Sequence, residues 1–473
     1  MARGRLSILF PEEIERIHTI SIRILEKIGI VVKSEIVSKM LLDAGAVRSP
    51  NGKRLLLPEH MVKSALASAP KSILLAGRND AKDMRIPSSK LYASTGGEGV
   101  YVKDLVRGTT RPSTLSDLRD VARIVESLPQ IDYLWGLVGA LDVPDKLKTT
   151  METKTALQYC NKHWQGGSLS AEEAKRDIDL AAIVVGGHKE LARRPIISAV
   201  ECPLSPLTFE KGLVEAQVTY AKAGVPVVAM VANMAGLTSP VTLSGTVTQT
   251  NAENLASLVI SQTAKPGSPW IYSSDSVPAD LRTGSIDYGA FEAPLMRAAS
   301  GEMGRYYGLP VMCAGLGIEE SSLSLSSVRE GVPIMLSQAL VPSDLGSGFG
   351  GIDQASGASF EQILVDAWIW EVAREIAREF DTDEDAIAFD TIREASEDMS
   401  FLTKKHTITR FRKESLVTSK PAAVITGRQE KAERGTLVRE AQKEVERILA
   451  KEPTMVVPKD IAKEMDEYVS KIK

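Results

Sequence analysis

Residues 225–274 read VPVVAMVANMAGLTSPVTLSGTVTQTNAENLASLVISQTAKPGSPWIYSS, and this stretch indicates the fold class. It begins with one apolar run, Val225–Asn233, and ends with another, Pro269–Ser274, each of a length typical of a strand buried on both faces. The segment between them is long enough for a crossover helix, which returns the chain to the edge of the sheet where the first strand begins. A strand, a helix and a second strand in this order predict two parallel strands of one sheet.

The same alternation of short apolar runs and longer amphipathic segments extends from about residue 90 to about residue 380. One predicted helix has its own start signal, since Thr114 stands three residues before Asp117 and the apolar residues that follow recur at helical spacing. We expect eight strands, at Leu91–Gly97, Tyr133–Asp142, His163–Leu169, Ile196–Cys202, Val225–Asn233, Pro269–Ser274, Leu309–Gly315 and Ala339–Leu345. Eight strand–helix units over about 290 residues predict an α/β protein with a (β/α)8 TIM barrel.

Two further regions flank the predicted barrel, which we place at residues 89–380. Residues 1–88 contain two helical segments, Pro11–Ile28 and Ser34–Ala44, and a hairpin signal at Asn51-Gly52, so we interpret them as an N-terminal helical cap. Residues 381–473 are strongly charged and contain the amphipathic stretch Thr436–Ala450. We expect this C-terminal helical extension to dock on the barrel or on a partner subunit, and the chain to form a homo-oligomer.

The composition argues against several classes of protein. A hydrophobic content of 43% and a charged content of 25% are typical of a globular chain. The net charge of −4 disfavours a nucleic-acid partner, because binding to the phosphate backbone depends on clustered lysine and arginine. Neither a secretory leader nor a membrane span is indicated, and the three cysteines are widely separated. We therefore expect a cytoplasmic protein that binds neither nucleic acid nor a membrane.

Several ordered motifs resemble one known family over most of the chain. The densest is GLTSPVTLSGTVTQTNAEN at residues 236–254; others are Pro266–Pro269, Asp280–Gly284, Arg305–Pro310 and the spaced motif from Phe401 through His406 to Arg412. With these motifs the chain resembles the trimethylamine methyltransferase family of corrinoid-dependent methyltransferases.

The resemblance implies a barrel fold, a methylated amine as the substrate, and delivery of the methyl group to the cobalt of a separate corrinoid protein. Founding members of the family carry pyrrolysine, whereas this chain contains only the ordinary twenty residues, including the Leu316–Val328 region where pyrrolysine would be sought. Members without pyrrolysine include glycine betaine methyltransferases, and the chain looks like that branch. No motif for holding cobalamin is present, so the resemblance implies that the partner protein carries the corrinoid.

A quaternary ammonium suits such a reaction without an acid, a base or a nucleophile from the protein. When cobalt(I) attacks the methyl carbon in line, the nitrogen leaves as a neutral tertiary amine, so the protein has only to position the substrate. Aromatic rings can surround the cation and an arginine can bind the carboxylate. The candidates near strand ends are Tyr101, Trp164, Tyr272 and Phe349 for the aromatic cage, Arg282 for the carboxylate, and Thr238 as a polar contact. Glu201 and His406 are candidate positioning residues, although His406 could equally fix the C-terminal extension.

A glycine motif, Gly346-x-Gly348-x-x-Gly351, follows the eighth predicted strand. Its spacing resembles a dinucleotide-binding loop, and loops after the last strands of a TIM barrel often bind phosphate. We interpret it instead as a turn that contacts the corrinoid partner. No histidine and cysteine spacing predicts a zinc site, so we expect no metal bound by this chain.

Other functions remain open at the level of sequence. The substrate could be another betaine, such as proline betaine or carnitine. The barrel could instead belong to a phosphate-binding lyase or isomerase, or to a betaine-binding protein that does not turn over.

Overall fold

Eight parallel strands form one closed sheet in the computed structural model, which describes residues 5–317, 325–414 and 436–472. In chain order they are β1 (Tyr92–Thr95), β2 (Leu134–Trp135), β3 (Trp164–Gly166), β4 (Ile197–Glu201), β5 (Val227–Val231), β6 (Trp270–Ser274), β7 (Val311–Cys313) and β8 (Leu345–Phe349). Strand β8 pairs with β1, and a parallel bridge from Ser94 to Tyr133 joins β1 to β2. The structure thus confirms the predicted (β/α)8 barrel.

The N-terminal region packs its helices on an outer helix of the barrel, Leu243–Ala264, and closes one end of the barrel with a hairpin. It contains the predicted helices, α1 (Pro11–Lys27) and α2 (Glu35–Asp43), a hairpin of Val47–Arg48 with Leu55–Leu56, and a third helix, α3 (Glu59–Ser68). A second hairpin, Ile73–Leu75 with Met84–Ile86, places its apolar side chains against the interior of the barrel. Ala76 N–H donates to Pro195 O at 2.9 Å, just before β4, so this hairpin closes the amino-terminal end of the strands.

Each barrel strand is followed by a helix on the outside of the sheet. These helices are α4 (Leu115–Ser127), α5 (Lys148–Tyr159), α6 (Ala171–Val185) with the short α7 (His188–Arg193), α8 (Lys211–Ala223), α9 (Leu243–Ala264), α10 (Ala293–Tyr306), α11 (Leu325–Gln338) and α12 (Phe360–Ala373). The capping box predicted at Thr114 begins α4. Within the described ranges, no helix is long and apolar enough to cross a bilayer.

Alternate residues of each strand face the interior and the helices. In β5, Val228 and Met230 belong to the interior cluster, whereas Val227 and Ala229 belong to the cluster between sheet and helices. The same period of two places Ile271 inside the barrel and its neighbours Trp270 and Tyr272 outside. This alternation decides which candidate residues can reach a ligand in the barrel.

The eighth strand is not where the sequence places it. We predicted Ala339–Leu345, but α11 continues to Gln338 and β8 runs from Leu345 to Phe349, through Gly346 and Gly348. The predicted glycine loop is therefore mostly strand. A Cβ at Gly346 would lie 2.8 Å from Leu316 Cδ1, and Gly348 has a φ of +139° with its Cβ direction blocked by the Gly317 backbone. Glycine is required there by close packing, although it is a poor strand former.

Two small sheets stand beside the carboxyl ends of the barrel strands. One contains Tyr101–Lys103, Thr110–Pro112, Gly351–Ile352 and Gly357–Ala358; the other contains Met234–Ala235, Val277–Asp280 and Ser285–Ile286. A parallel pair, Val31–Val32 with Thr208–Phe209, ties the N-terminal region to the loop after β4.

The C-terminal extension has two parts. Residues 378–414, which we call the C-terminal lobe, contain α13 (Glu384–Ile387), α14 (Phe389–Asp398) and α15 (Lys405–Glu414). Helix α16 (Thr436–Leu449) then packs on α12 and α4, and α17 (Lys459–Ser470) packs on α6 and α5. The predicted amphipathic stretch thus docks on the barrel.

Candidate active site

A pocket opens at the carboxyl ends of β1, β2, β6, β7 and β8. It is lined by Gly96, Gly97, Trp135, Asp275, Tyr288, Arg297, Ala314, Gly315, Gly317, Ile334, Ser347, Gly348 and Ala355. Active sites of TIM barrels lie at this end because the loops that follow the strands converge there. We call it the mouth pocket.

Arg297 is the most unusual residue of the mouth pocket. It projects from α10 and is only 1% exposed, yet its Nε and Nη1 atoms have no hydrogen-bond partner within the described ranges. The chain makes room for its guanidinium with Gly315, whose φ is +115° and whose Cβ, if present, would lie 2.4 Å from Nη1. A buried guanidinium with unused donors is costly unless an anion binds it.

Asp275 supplies the opposite charge in the same pocket. It follows β6 directly, and its Oδ2 accepts a hydrogen bond from Tyr288 Oη at 3.0 Å, whereas its buried Oδ1 has no partner within the described ranges. Burial raises the pKa of Asp275 to about 6, and the nearby Arg297 opposes that rise. Asp275 is therefore mostly ionised at neutral pH.

Two aromatic side chains form walls of the pocket. Trp135 lies at the end of β2, and the absence of a Cβ at Gly96 lets its indole approach, since that Cβ would stand 3.0 Å from Trp135 Cε3. Tyr288 lies in the segment between Ser285–Ile286 and α10, and its side chain also lines the pocket. Neither ring was among the predicted cage residues. Trp135 could have been found, because it falls inside a predicted strand.

Titratable side chains also cluster on the β1 to β4 side of the mouth. Glu152 of α5 accepts a hydrogen bond from Ala140 N at 2.7 Å; burial raises its pKa to about 7, while Lys148 opposes the rise. Glu98 is solvent-accessible, and the dense protein around its carboxyl raises its pKa. Cys202 follows β4 and is solvent-accessible, but dense surrounding protein raises the pKa of its thiol to about 12. The thiol is thus protonated at neutral pH and is a weak nucleophile.

Three of the predicted cage residues face the helices rather than the pocket. Trp164 Nε1 donates to Thr153 of α5 at 3.1 Å, and Tyr272 Oη donates to Asn251 of α9 at 3.2 Å. Phe349 is fully buried in the cluster between sheet and helices. These three side chains do not line the pocket as we predicted: Trp164 and Tyr272 have the outward parity within their strands, and a register shift between Ser347 and Phe349 turns Phe349 outward.

Arg282, which we predicted to bind the carboxylate, does not line the mouth pocket either. Its side chain is 90% exposed and is paired with Asp280, whose Oδ1 and Oδ2 accept from Arg282 Nε and Nη2, both at 3.1 Å. It lies in the turn between two short strands, which projects from the barrel. Thr238 has a local role, since its Oγ1 accepts from Met234 N at 2.8 Å and closes the turn after β5.

The two predicted positioning residues do not line the mouth pocket. Glu201 is buried at the end of β4 with neither carboxylate oxygen partnered within the described ranges, and burial near Asp177 of α6 raises its pKa well above the usual value. Strand parity directs it to the helices. His406 lies in a cleft of the C-terminal lobe lined only by residues 384–410.

The remaining candidates lie near the mouth. Tyr101 donates a hydrogen bond to Asp353 within the small sheet beside the pocket, and burial followed by that bond raises its pKa to about 12. Of the glycine motif, Gly348 lines the pocket, whereas Gly346 faces outward and Gly351 lies in the small sheet. Residues 318–324, within the region of the missing pyrrolysine, lie outside the described residues.

No group of three or more His, Cys, Asp or Glu side chains in the described parts of the chain is arranged to hold a metal ion. The mouth pocket instead combines an arginine with two nitrogens that have no hydrogen-bond partner among the described residues, a carboxylate and two aromatic rings. Such a set of groups complements a small zwitterion.

Comparison with known proteins gives consistent matches along the chain. The model of the trimethylamine methyltransferase family matches residues 2–473. A glycine betaine methyltransferase of Desulfitobacterium hafniense (strain Y51) is 28% identical over 405 residues, covering 85% of this chain and 84% of the relative. A trimethylamine methyltransferase of Methanosarcina thermophila is 27% identical over 407 residues, covering 85% of this chain and 84% of the relative.

A solved structure shows the same fold. The monomethylamine methyltransferase of Methanosarcina barkeri matches 94% of this chain and 89% of its own, with a TM-score of 0.56 and 12% sequence identity.

Proposed function

The chain belongs to the trimethylamine methyltransferase family, and we propose that this methyltransferase takes a methyl group from glycine betaine and transfers it to the cobalt of a separate corrinoid protein. Family membership supports methyl transfer from a methylated amine. The choice among amines has to come from the pocket.

Arg297 is the observation that carries the choice of a carboxylated amine. Trimethylamine has no carboxylate, and it would leave the two unused donors of the buried guanidinium unsatisfied. A carboxylate can accept a charge-assisted hydrogen bond from either nitrogen, and the guanidinium suits a carboxylate because it is planar and always charged. Glycine betaine carries this carboxylate one methylene away from a trimethylammonium group.

The rest of the mouth pocket supports the same ligand. Ionised Asp275 can face the trimethylammonium group while Arg297 binds the carboxylate, so the charges of protein and zwitterion are matched. The faces of Trp135 and Tyr288 can each add ~0.5–2 kcal/mol of cation–π attraction in a desolvated site. The pocket therefore offers a partner to each end of the substrate.

The chemistry asks little of this chain beyond placement. Attack of cobalt(I) on the methyl carbon breaks the carbon–nitrogen bond, and the bonding pair remains on the nitrogen of dimethylglycine, which needs no proton in order to leave. The protein residues hold the ammonium group in line and exclude water from the attacking metal. We propose that the chain itself binds no cofactor.

The rim of the mouth supports a protein partner for the methyl acceptor. Large apolar side chains stand at least 41% exposed on the segments after six successive strands, β1 to β6; they are Val100, Val106, Leu141, Leu169, Leu204, Leu237, Val241, Leu281, Phe291 and Leu295. Ten such side chains around one opening exceed what isolated surface residues would give. We propose that the corrinoid protein docks on this apolar rim.

The structure bears differently on the three alternative functions. Proline betaine and carnitine carry the same two charged groups, so Arg297 and Asp275 do not distinguish them from glycine betaine. The glycine motif no longer supports a phosphate-binding lyase or isomerase, because two of its glycines lie within β8 and the third, Gly351, lies in the small sheet, so the three do not form a loop. A binding protein without turnover would bind betaine and fail to methylate cobalt.

The first experiment is a calorimetric titration of the protein with glycine betaine, choline and trimethylamine. Choline keeps the quaternary nitrogen but replaces the carboxylate with an alcohol, so it isolates the contribution of Arg297. We expect glycine betaine to bind most tightly, by about two orders of magnitude over choline. Equal affinities would contradict the proposal.

A further inference from the structure

The C-terminal lobe, residues 378–414, exposes an unusual amount of apolar surface. Nine of the 26 exposed large apolar side chains of the described residues belong to it, although it is less than a tenth of the chain. Met399 is 89% exposed and Leu402 is 80% exposed. Exposing such apolar side chains to water is unfavourable for a monomer. The others are Phe380, Ile387, Phe389, Ile392, Phe401, Ile408 and Phe411. Clusters of this kind mark association surfaces.

The lobe leaves the barrel at the end opposite the mouth. Helix α12 begins next to the mouth at Phe360 and runs antiparallel to the strands, so its last residue, Ala373, lies at the amino-terminal end of the barrel. Arg378, five residues on, donates to Glu414 O at 3.1 Å and thereby joins the two ends of the lobe. A protein that docks on the rim to accept a methyl group is therefore distant from this surface.

Charge divides the lobe into two unlike halves. Residues 379–398 contain nine carboxylates and one arginine, a net charge of −8, whereas residues 404–413 contain five basic residues and no acidic one, a net charge of +5. Within one copy these halves are joined by an ion pair between Asp385 and Arg410. A second copy turned by a two-fold rotation would present its basic half to the acidic half of the first, and the reverse.

We propose that the lobe is the interface through which two copies of this chain form a two-fold dimer. The acidic helix α14 of each copy lies against the basic helix α15 of the other, and the exposed apolar side chains meet at the centre. Four phenylalanines, each losing half of the ~150–250 Å² that an aromatic ring buries, supply ~300–500 Å² of the ~800 Å² per partner found in a standard interface. The five aliphatic side chains add to that area.

Sedimentation equilibrium of the full chain tests the proposal. The wild-type chain should be dimeric at micromolar concentration, and a double variant, Met399→Glu with Leu402→Glu, should be monomeric. Leu169→Glu with Leu281→Glu on the apolar rim is the matched control, because it places the same two charges on exposed leucines at the other end of the barrel and should leave the dimer intact. A monomeric wild-type chain would overturn the proposal. The apolar surface of the lobe would then have to be covered by something other than a second copy.

Charge reversal gives a second test that does not depend on apolar substitutions. The variants Glu394→Lys with Glu397→Lys, and Lys404→Glu with Lys405→Glu, change the net charge of the acidic half from −8 to −4 and that of the basic half from +5 to +1, so each weakens the attraction across both halves of a two-fold interface. Each variant alone should dissociate about tenfold more readily than the wild type, and an equimolar mixture should restore association as a heterodimer. If the separate variants dimerise as well as the wild type, or if the mixture gains nothing, the lobe is not the interface.

Discussion

At the scale of single residues, Arg297 and Asp275 carry opposite charges that protein groups leave incompletely satisfied within the described ranges. Burying an unpaired charge destabilises the ligand-free protein, and a matched ligand recovers that free energy as affinity. This behaviour separates a binding residue from a structural one, because a structural residue stabilises the protein before any ligand arrives.

Replacement of Arg297 by methionine should therefore affect binding more than folding. We expect Arg297→Met to weaken glycine betaine binding by on the order of 3 kcal/mol, while the unfolding temperature of the ligand-free protein stays constant or rises. Thermal unfolding with and without betaine measures both quantities. The control, Arg282→Met, removes an exposed arginine already paired with Asp280 and should change neither. A variant at 297 that unfolds early yet still binds betaine would assign Arg297 to folding.

Asp275 predicts how binding depends on pH. Burial raises its pKa to about 6, so its carboxylate is protonated below that pH and attracts the trimethylammonium group only above it. Affinity for glycine betaine should rise as the pH increases through about 6, and Asp275→Asn should remove this rise. Because Glu152 titrates near pH 7, the asparagine variant is the necessary comparison in a calorimetric pH series. An identical pH profile in both proteins would exclude Asp275 as the group responsible.

At the scale of elements, glycines give the strands and turns of the mouth their close approaches. Gly315 lets Arg297 lie against the turn after β7, and Gly96 does the same for Trp135. A substitution at such a position acts through the side chain it displaces.

Gly315→Ala should disturb binding through Arg297. Its Cβ would lie 2.4 Å from Nη1, so we expect the guanidinium to move and betaine affinity to fall by about tenfold or more. Gly284→Ala is a matched control, since Gly284 also has a positive φ, +73°, but nothing within 4 Å of the added Cβ. Both variants should lose about 1 kcal/mol of stability from backbone strain. If the Gly315→Ala and Gly284→Ala variants bind betaine equally well, Gly315 is needed only for the backbone conformation of its turn and not for the position of Arg297.

The elements also show how far sequence reasoning reaches. Seven strands were found at their predicted positions because apolar runs buried on both faces, such as Val227–Val231, are distinctive. Strand β8 was misplaced because its sequence, LGSGF, contains two glycines, which are poor strand formers but are required by close packing against Leu316 and Gly317. The family and the barrel could be predicted from the sequence. The direction in which Trp164 and Tyr272 point, and the entry of Arg297 from α10 into the pocket, depend on three-dimensional packing and could not.

At the scale of the whole molecule, two apolar surfaces lie at opposite ends of the barrel. The rim surrounds the mouth, and the lobe lies at the amino-terminal end of the strands. We assign the rim to the corrinoid protein and the lobe to a second copy, so substitutions on one surface should leave the other function intact.

The rim can be tested by comparing two methyl acceptors. Leu169→Asp with Leu281→Asp should raise the KM for the reduced corrinoid protein about tenfold or more, because the charges must be desolvated when that protein docks. The rate with free cob(I)alamin should be unchanged, since free cofactor needs no docking surface. Met399→Asp in the lobe should affect neither acceptor. Equal losses with both acceptors would mean that the leucines shape the pocket.

The most direct test of the proposed activity follows the cobalt spectrum of free cob(I)alamin mixed with the protein and one amine at a time. With glycine betaine, the cob(I)alamin signal should convert to methylcobalamin and dimethylglycine should accumulate in equal amount. With trimethylamine, which lacks the carboxylate for Arg297, and with dimethylglycine, which lacks the quaternary nitrogen, conversion should be slower by about two orders of magnitude. Methylation from trimethylamine or dimethylglycine as fast as from glycine betaine would contradict the assignment of this pocket to a carboxylated quaternary amine.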